Sequence, residues 1–338
     1  FTTPDTEWVQ PYAAMQNVGM NAMKNQRNIV LDNAGECVEK GWQIDDSKYC
    51  FYGAYLNTTS DIYGDSNTYG AYATADSNSS YGLEYTIDDQ WTVGAAYGSG
   101  VSNLHDYSFS GTTAAINSKN DFYSIYSTKK STTKDLKYSA IISLADIQYN
   151  STRTVSSNTA TGKYDADGYS AELNAVWNKT VDSKIFSPEE TKYFIKPLVG
   201  VAFGNHNQNS FTETGDGSLM TISNSKSASL LFKTGVTVAT KIPTNNDKWL
   251  FVPSVGVNYE YDVMADRHGR RGIDAKIASS SSAPTLVKAK TAGEQLATFN
   301  LGADLYLDQN FMLNANAGMS YSSEGEQSSI GGGFRWLF

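Results

Sequence analysis

A two-residue alternation of apolar and small or polar residues runs through this sequence from about residue 50 to its end. It is clearest in the last segment, from Ile330 to Phe338, where apolar and aromatic residues alternate with glycine, Arg335 and Leu337. The same period recurs in residues 81–95, 193–204, 230–241, 249–261, 299–307 and 311–321. Because successive side chains of a strand point to opposite faces, this period predicts a chain that is all-β over most of its length.

The apolar face of these strands is expected to contact lipid. The segments run for about 10 to 15 residues, which is longer than the usual 5 or 6 of soluble sheets and enough to cross a bilayer. No apolar run approaches the roughly 20 residues that a spanning helix needs. Aromatic residues stand at segment ends, where the two girdles of a membrane barrel would place them: Trp91, Tyr193, Trp249, Phe311, Trp336 and Phe338.

The connections between the segments alternate between short and long. Short ones lie at residues 88–90, 129–135, 243–248 and 308–310, and long polar ones at 58–78, 103–118, 151–167, 206–224 and 265–291. Short periplasmic turns and long surface loops are typical of bacterial outer-membrane barrels. The segment count predicts an antiparallel transmembrane β-barrel of about twelve strands. The long connection at 181–192 falls on the short-turn side and does not follow this rule.

The N-terminal part of the chain has a different pattern. Residues from Gln10 to about Asn33 contain only Pro11 and Gly19 as helix breakers and are rich in Ala, Met, Asn and Gln, which predicts a helix. Its apolar residues form no continuous stripe. Such a helix suits a polar surrounding better than an apolar core.

Composition excludes several classes of function. A formal net charge of −9 does not suit a phosphate-binding surface, so we expect no nucleic-acid partner. No cysteine and histidine spacing matches a metal site, and no glycine motif opens a helix, so we expect neither a metal nor a cofactor. Cys37 and Cys50 are candidates for a disulfide, which fits an exported protein and would contribute about 3 kcal/mol. Two free thiols are the alternative.

Candidates for enzymatic chemistry are few. His105, His206 and His268 all fall in predicted surface loops, and Asp106 follows the first of them. Outer-membrane proteases of the omptin type place Asp and His at such a rim, but no second acidic pair accompanies these residues, so we expect solvated loop histidines and no enzyme. A basic cluster at residues 267–271 could contact lipopolysaccharide phosphates or could simply be an exposed loop tip.

Two features resemble known families. The last strand, with Phe334, Trp336 and Phe338 at alternate positions, resembles the assembly signal of bacterial outer-membrane proteins. The helix, the strand number and segments such as residues 81–95 together resemble the translocator β-domain of classical autotransporters over nearly the whole chain. The resemblance implies an outer-membrane translocator that anchors and helps export a passenger, with its own helix threaded through the pore. It divides the chain into the end of a passenger or linker (1–9), a pore helix with its connector (10–47) and the barrel (48–338).

The resemblance also implies contacts between the helix and the barrel lumen. The polar candidates on the helix side are Lys24, Arg27, Asp32 and Glu36. The candidates that face the lumen are Glu84, Glu172, Lys196, Lys233, Glu260, Asp304 and Arg335. The helix cations are expected to meet the acidic lumen residues, and the basic lumen residues to meet Asp32 or Glu36. The alternative is that these charges only line a solvated wall.

The implied partners are the lipid bilayer and lipopolysaccharide, the barrel-assembly machinery, periplasmic chaperones and the covalently attached passenger, with the barrel itself a monomer. Some autotransporters cut their helix at adjacent asparagines. Here the asparagines of the helix are all isolated, so self-cleavage is not expected: they are Asn17, Asn21, Asn25, Asn28 and Asn33. A diffusion porin or receptor-like barrel plugged by its N-terminal residues is the first alternative, and an omptin-like surface enzyme is the second.

Overall fold

The computed structural model describes residues 3–35, 48–65, 67–133, 135–183, 191–243, 249–265, 270–307 and 310–338. Within these ranges the chain forms one α-helix, α1 (Thr6–Asn33), and a closed antiparallel barrel of twelve strands. The prediction of an all-β barrel of about twelve strands with an N-terminal helix is therefore confirmed.

The barrel strands are β1 (Tyr49–Ile62), β2 (Ala71–Thr86), β3 (Trp91–Phe109), β4 (Thr112–Lys130), β5 (Leu136–Val155), β6 (Asn158–Trp177), β7 (Thr191–Gln208), β8 (Ser225–Thr240), β9 (Leu250–Asp262), β10 (Gln295–Tyr306), β11 (Phe311–Tyr321) and β12 (Gly325–Leu337). Each strand pairs with its neighbour in the chain. Pairing of β12 with β1, in which Cys50 lies opposite Leu337, closes the barrel. Closure leaves no unpaired strand edge in the bilayer, where water cannot satisfy backbone groups.

The two faces of the barrel wall differ as the alternation predicts. On β4 and β5, Ile125 lies opposite Ile142, and their side chains are 63% and 56% exposed on the outside. The next pair, Tyr126 and Ile141, points inward and is buried. The outside of the barrel is therefore the apolar face, because it contacts lipid rather than water.

Exposed aromatic residues form two rings on the outside of the barrel. The ring at the short-turn end contains Tyr49, Trp91, Tyr138, Trp177, Trp249, Trp336 and Phe338, and the ring toward the other end contains Tyr81, Tyr97, Tyr123, Tyr169, Tyr259 and Tyr321. Amphipathic rings at these levels suit the two membrane interfaces. Of the aromatic residues predicted for the girdles, Tyr193 and Phe311 are half-buried instead.

Two of the predicted surface loops are wrong, because they consist mostly of strand. Residues 103–118 form the ends of β3 and β4 around a two-residue turn, where Ser110 and Gly111 have φ of 50° and 80°. Residues 151–167 form the corresponding hairpin of β5 and β6, with Ser156 at φ 55°. Positive φ at the centre of the turn matches the right-handed twist of the strands. The polar composition suggested loops, but strand pairing needs only backbone groups.

The long connection on the short-turn side also has an explanation. Lys179–Ser183 pairs with the start of β7, so this segment is a hairpin that extends beyond the barrel. Residues 184–190 between its two arms lie outside the described ranges. The rule of short periplasmic turns fails here because the turn carries its own strand.

Two connections at the opposite end fold into a small four-stranded sheet, which we call the loop sheet. Its strands lie in the order Thr285–Lys290, Arg270–Ile277, Met220–Ile222 and Phe211–Thr212. Apolar residues of the loop sheet, including Ile222 and Ile273, belong to one buried cluster with Val9 and Tyr12 of α1. The predicted surface loops at 206–224 and 265–291 are thus partly strand, and they pack over the first half of the helix.

Helix α1 has 28 residues, which corresponds to about 42 Å. It begins at Thr6 rather than at Gln10, so residues 6–9 of the segment expected to precede the helix are part of it. Trp8 and Val9 pack against the buried cluster, and this packing stabilises the additional residues at the start of the helix. Within the described residues no helix combines the length and hydropathy needed to span a membrane.

A charge on the outer face tests the position of the membrane. Ile142→Arg is expected to lower the free energy of unfolding in lipid vesicles by about 2–4 kcal/mol, because it places a cation among lipid chains. The matched change Gln148→Arg lies on the same strand and face but beyond the upper tyrosine ring, so it should have little effect. Equal losses in both variants, measured by denaturant titration, would contradict this position.

Candidate functional site

The lumen of the barrel is occupied by α1, and most residues of the helix are buried. The start of the helix lies at the end of the barrel opposite the short turns, which we call the hairpin end. There the Glu7 carbonyl accepts a hydrogen bond of 3.0 Å from the Tyr107 hydroxyl. Its last turn lies at the short-turn end, beside Glu84 and Arg335. The helix therefore runs from the hairpin end of the barrel toward the short-turn end.

Two cations of α1 form ion pairs with the barrel wall near the middle of the lumen. Lys24 pairs with Glu260 on β9. Arg27 donates from Nε to Glu172 Oε2 on β6 at 3.2 Å, and both side chains are almost fully buried. The cost of burying a charge is offset only when a partner of opposite charge is held close. These pairs therefore fix both the depth and the rotation of the helix.

A third cation, Lys233 on β8, completes this group. Its Nζ donates to the two carboxylate oxygens of Glu172 at 2.8 and 2.9 Å, and to Asn28 Oδ1 on the helix at 3.1 Å. Glu260 Oε1 lies 3.8 Å from the same Nζ. We call Lys24, Arg27, Glu172, Lys233 and Glu260 the lumen charge network. It joins α1 to three strands of the wall.

Basic side chains of the wall hold the C-terminal end of α1. Arg335 Nη2 donates to the Asp32 carbonyl at 2.8 Å, and Nε donates to Asn33 Oδ1 at 3.0 Å. Lys137 Nζ donates to the Ala34 carbonyl at 3.3 Å. The last carbonyls of a helix have no partner within it and carry partial negative charge, so these cations satisfy and stabilise the helix end.

Gly35 follows the end of the helix and binds a carboxylate of the barrel wall. Gly35 has φ of 71°, a conformation that favours glycine, and a β-carbon there would collide with the Thr128 side chain. Its N–H donates to Glu84 Oε1 at 2.8 Å. Glu84 therefore binds the backbone at the end of α1 rather than a cation of the helix.

The structure places the other predicted lumen residues as follows. Lys196 on β7 and Asp304 on β10 are half-buried in the wall. Lys233 pairs with Glu172 rather than with the expected Asp32, and Arg335 donates to the backbone carbonyl of Asp32. Glu36 lies outside the described residues.

The cysteine and C-terminal predictions concern the short-turn end of the barrel. Cys50 is buried and disulfide-bonded, but Cys37 lies outside the described residues, so their pairing stays a prediction. Trp336 and Phe338 are exposed on the outside with ring centroids 5.5 Å apart. Phe334 is half-buried on the same face. Their role as an assembly signal stays a prediction.

Gln10 fixes the first turns of the helix to the rim. Its Nε2 donates to the Thr68 carbonyl at 2.6 Å. Its Oε1 accepts from the Gly70 N–H at 3.0 Å and from the Tyr107 hydroxyl at 3.1 Å. Because this amide is engaged at both ends, removing it would leave buried polar groups without partners.

Another buried ion pair lies at the rim and was not predicted. Arg153 on β5 donates from Nε to Glu213 Oε1 at 2.8 Å and from Nη2 to Oε2 at 2.5 Å. The Tyr12 hydroxyl of α1 donates to the same carboxylate, and Arg153 lies 5.7 Å from the centre of the Trp8 ring. A bidentate pair of this kind orients its partners as well as attracting them. We call Arg153, Glu213 and Tyr12 the rim lock.

The middle of the helix passes close to two wall side chains. A β-carbon on Gly19 would lie 2.5 Å from the Tyr149 hydroxyl and 2.7 Å from His206 Nε2, which are themselves 2.8 Å apart. His206 is fully buried on β7, so its predicted place in a solvated loop is wrong. The loop prediction followed from polar neighbours, although His206 continues the inward face of its strand.

The remaining candidates for enzymatic chemistry lie apart from the lumen. His105 Nδ1 is 2.7 Å from Asp106 Oδ2 at an exposed position of β3, and His268 lies outside the described residues. Among the residues that the structure describes, no group of three or more His, Cys, Asp or Glu is suited to hold a metal ion.

Reversing one charge of the helix tests the lumen charge network. Arg27→Glu should place a third carboxylate beside Glu172 and Glu260, loosen the helix and raise single-channel conductance in planar bilayers. The conservative variant Arg27→Lys keeps a cation beside Glu172, and its conductance should stay close to that of the parent chain. Unchanged conductance in Arg27→Glu would show that this contact is absent.

Gly19 provides a test of close packing in the middle of the helix. Gly19→Leu should lower the stability of the folded barrel by about 1–3 kcal/mol, because Tyr149 and His206 leave no room for a side chain. The control is Asn21→Leu, at a half-buried position that faces a cavity. Thermal unfolding of both variants in detergent measures the difference, and equal midpoints would contradict the packing described.

Comparison with known proteins agrees with the fold. The structure is similar to the translocator domain of the autotransporter NalP from Neisseria meningitidis, with 14% identity, 96% of this chain and 99% of that chain covered, and a TM-score of 0.64. It is similar to the transport unit of AIDA-I from Escherichia coli, with 12% identity, 96% and 99% covered, and a TM-score of 0.63. It is also similar to the β-domain of the Bordetella autotransporter BrkA, with 12% identity, 86% of this chain and 100% of that chain covered, and a TM-score of 0.60.

No curated protein sequence matches this chain significantly. The family model of the autotransporter beta-domain matches residues 51–318, which is most of the chain and nearly the whole barrel. The sequence-based resemblance is therefore confirmed: the chain belongs to the autotransporter β-domain family and is a β-barrel of the bacterial outer membrane.

Proposed function

We propose that this chain is a translocator that anchors an N-terminal passenger in the outer membrane and helps bring it to the cell surface. The observation that carries this proposal is the direction of α1. The helix fills much of the lumen and begins at the hairpin end of the barrel, whereas its last turn lies at the short-turn end. Since short turns are periplasmic in outer-membrane barrels, a segment joined to the start of α1 lies outside the cell.

Contacts at three depths suit α1 for use as an anchor. The rim lock and Gln10 hold its first turns, the lumen charge network holds its middle, and Arg335 with Glu84 holds its end. Removing one partner of a buried ion pair typically costs about 3–5 kcal/mol, so the rim lock and the lumen charge network resist withdrawal of the helix. A passenger joined to such a helix stays attached to the membrane without any further anchor.

The alternatives are less consistent with this geometry. A diffusion porin needs a lumen that is free of its own chain, whereas here α1 makes specific buried contacts along the whole wall of β1–β8. A plug that is released by a ligand would require the three contact groups to open together. We therefore place the helix as a permanent part of the mature barrel.

We also propose that the chain is not an enzyme and does not cut its own helix. Three of the isolated asparagines are engaged by neighbours: Asn25 donates to Thr58 Oγ1 at 3.4 Å, Asn33 donates to the Ile29 carbonyl at 2.7 Å, and Asn28 accepts from Lys233. An amide held in this way is not free to attack its own backbone carbonyl.

The proposed partners follow from the surfaces of the barrel. Lipid covers the apolar outer face between the two aromatic rings. The exposed aromatic residues at the end of β12 are the proposed contact of the barrel-assembly machinery, and periplasmic chaperones would carry the unfolded chain to it. Lipopolysaccharide is the proposed contact of the basic residues near 267–271, of which Arg267, His268 and Gly269 lie outside the described residues.

Surface display tests this function. A compact epitope-tagged domain joined before Phe1, behind a periplasmic export signal, should become accessible to antibody and protease on intact Gram-negative cells. The matched control carries the same tag in the β4–β5 turn, between Ser131 and Asp135, where it should stay protected. A folded barrel in the outer membrane with a protected N-terminal tag would overturn the proposal.

A further inference from the structure

Asp76 is a carboxylate buried between α1 and the barrel wall, and the ion pairs described above do not include it. It lies on β2 beyond Tyr81 of the upper tyrosine ring, toward the hairpin end, and the residue is 1% exposed. Neither carboxylate oxygen has a hydrogen-bond partner at normal geometry among the described residues. Because burying an ionised carboxylate is costly unless a cation or several donors compensate it, the surroundings of Asp76 decide its charge.

The wall around Asp76 carries no other charge. Asp76 belongs to one row of inward residues that crosses β1–β6, each opposite the next in register: Thr58, Asp76, Ser102, Ser118, Tyr149 and Tyr164. Every residue of this row is buried. Burial raises the pKa of both tyrosine hydroxyls, so Asp76 is the one acid of the row that can ionise near neutral pH.

The helix directs its cations away from this row. Asn25 of α1 donates to Thr58 Oγ1 at 3.4 Å, so an uncharged amide reaches the end of the row. Lys24 and Arg27, the cations of the same part of the helix, belong to the lumen charge network and pair with β9 and β6. Asp76 is therefore not compensated in the way that Glu172 and Glu260 are.

Hydroxyl and amide groups of β3 and β4 leave a single donor for Asp76. Ser118 Oγ donates to Asn120 Oδ1 at 2.9 Å, and Asn120 Nδ2 donates to Ser102 Oγ at 2.8 Å. The Ser102 hydroxyl then has its own proton to offer to the carboxylate. One hydroxyl replaces only part of the hydration that a carboxylate has in water. Burial accordingly raises the pKa of Asp76 to about 7, although Ser102 acts in the opposite direction.

Tyr149 joins Asp76 to the middle of the helix. Burial and the charge of Asp76 both raise the pKa of the Tyr149 hydroxyl, an effect that requires the two groups to lie close together. The same hydroxyl is 2.8 Å from His206 Nε2 and borders Gly19, where the helix has no room for a side chain. A charge on Asp76 is therefore felt where α1 packs closely on the wall.

We propose that Asp76 holds a proton while α1 is seated in the barrel, and that loss of this proton loosens the middle of the helix. The neutral carboxylic acid suits the uncharged row, whereas a carboxylate brings an uncompensated charge into the contact between α1 and β2–β5. The lumen charge network responds in the opposite way, because its carboxylates bind their cations only when ionised. The helix is thus seated most firmly at mildly acidic pH. This device acts on the finished barrel and does not depend on the export of a passenger.

The sign of the pH dependence follows from the two states of Asp76. In the unfolded chain an aspartate has its ordinary pKa of about 4. Between about pH 4 and 7 the barrel with a seated helix therefore binds one proton more than a state in which Asp76 is solvated. Within this range each pH unit should favour the solvated state by about tenfold, with no further change at higher pH.

Infrared spectra of the full refolded chain test whether Asp76 holds the proton. The carbonyl band of protonated carboxylic acids at pH 6 should lose intensity in Asp76→Asn, and the part that is lost should titrate in the parent with a midpoint near pH 7. The matched control Asp146→Asn removes an exposed carboxylate on the outer face of β5 and should leave the band unchanged. An equal band in Asp76→Asn and in the parent means that Asp76 is ionised in the folded barrel, which overturns the proposal.

Hydrogen exchange of the α1 amides at residues 18–25 tests whether the proton controls the helix. The ratio of exchange rates, parent over Asp76→Asn at the same pH, should rise by at least about tenfold from pH 5 to pH 7.5. A ratio that does not change with pH also overturns the proposal, because the helix is then indifferent to the proton. If Asp76→Asn does not fold, which heat-dependent migration on gels reports, Ser102→Ala repeats the test. It removes the one hydroxyl donor and should move the infrared midpoint to higher pH, and an unmoved midpoint contradicts the assignment.

Discussion

Glu172 is a carboxylate buried inside a membrane barrel, and the position of α1 depends on how that charge is compensated. Arg27 from the helix and Lys233 from β8 both contact it, and Asn174 Nδ2 adds a hydrogen bond of 2.9 Å. One cation lies on the helix and the other on a strand, so the helix and the wall compensate this charge together. A helix that slid along its axis by one turn, or rotated about that axis to face another strand, would leave these charges buried without partners. This is far more costly than losing contacts between apolar groups.

This constraint explains why a polar helix suits the lumen of a barrel. The outside of the wall must be apolar because it contacts lipid, and period-two alternation then places polar and small side chains inside. An apolar helix would leave those inward groups unsatisfied, whereas the amides of Gln10, Gln16 and Gln26 engage them along the length of α1: Gln16 bonds Ser225 and Ser227, and Gln26 Nε2 donates to Ser80 Oγ at 3.1 Å. The lack of an apolar stripe on this helix is a direct result of where it lies.

The sequence allowed the barrel to be predicted because alternation encodes the strand itself. The same reading predicted the approximate number of strands, the helix, and the polar residues expected to form contacts between the helix and the lumen. It did not reveal the hairpins around Ser110 and Ser156, since above the membrane the outer face turns polar and the contrast between faces fades. The inward set nevertheless continues there through Ile147, Tyr149 and Arg153, and following that set would have placed Arg153 inside. The choice of Glu172 for Arg27 depends on strand register and helix rotation, which only the folded chain defines.

The loop sheet determines how the structure carries mechanical load. Its buried residues surround Val9 and Tyr12, so its core is incomplete until the first turns of α1 are present. An outward pull on a segment before α1 would act first on Gln10 and on the Arg153–Glu213 pair at the rim, and only later on the charges deeper in the barrel. The rim contacts belong to connections that are joined to strands on opposite sides of the barrel, and force is thereby spread over the hydrogen-bonded wall. Shear on a segment joined before α1 would in this way be taken up by the rim and the wall before it reached Glu172.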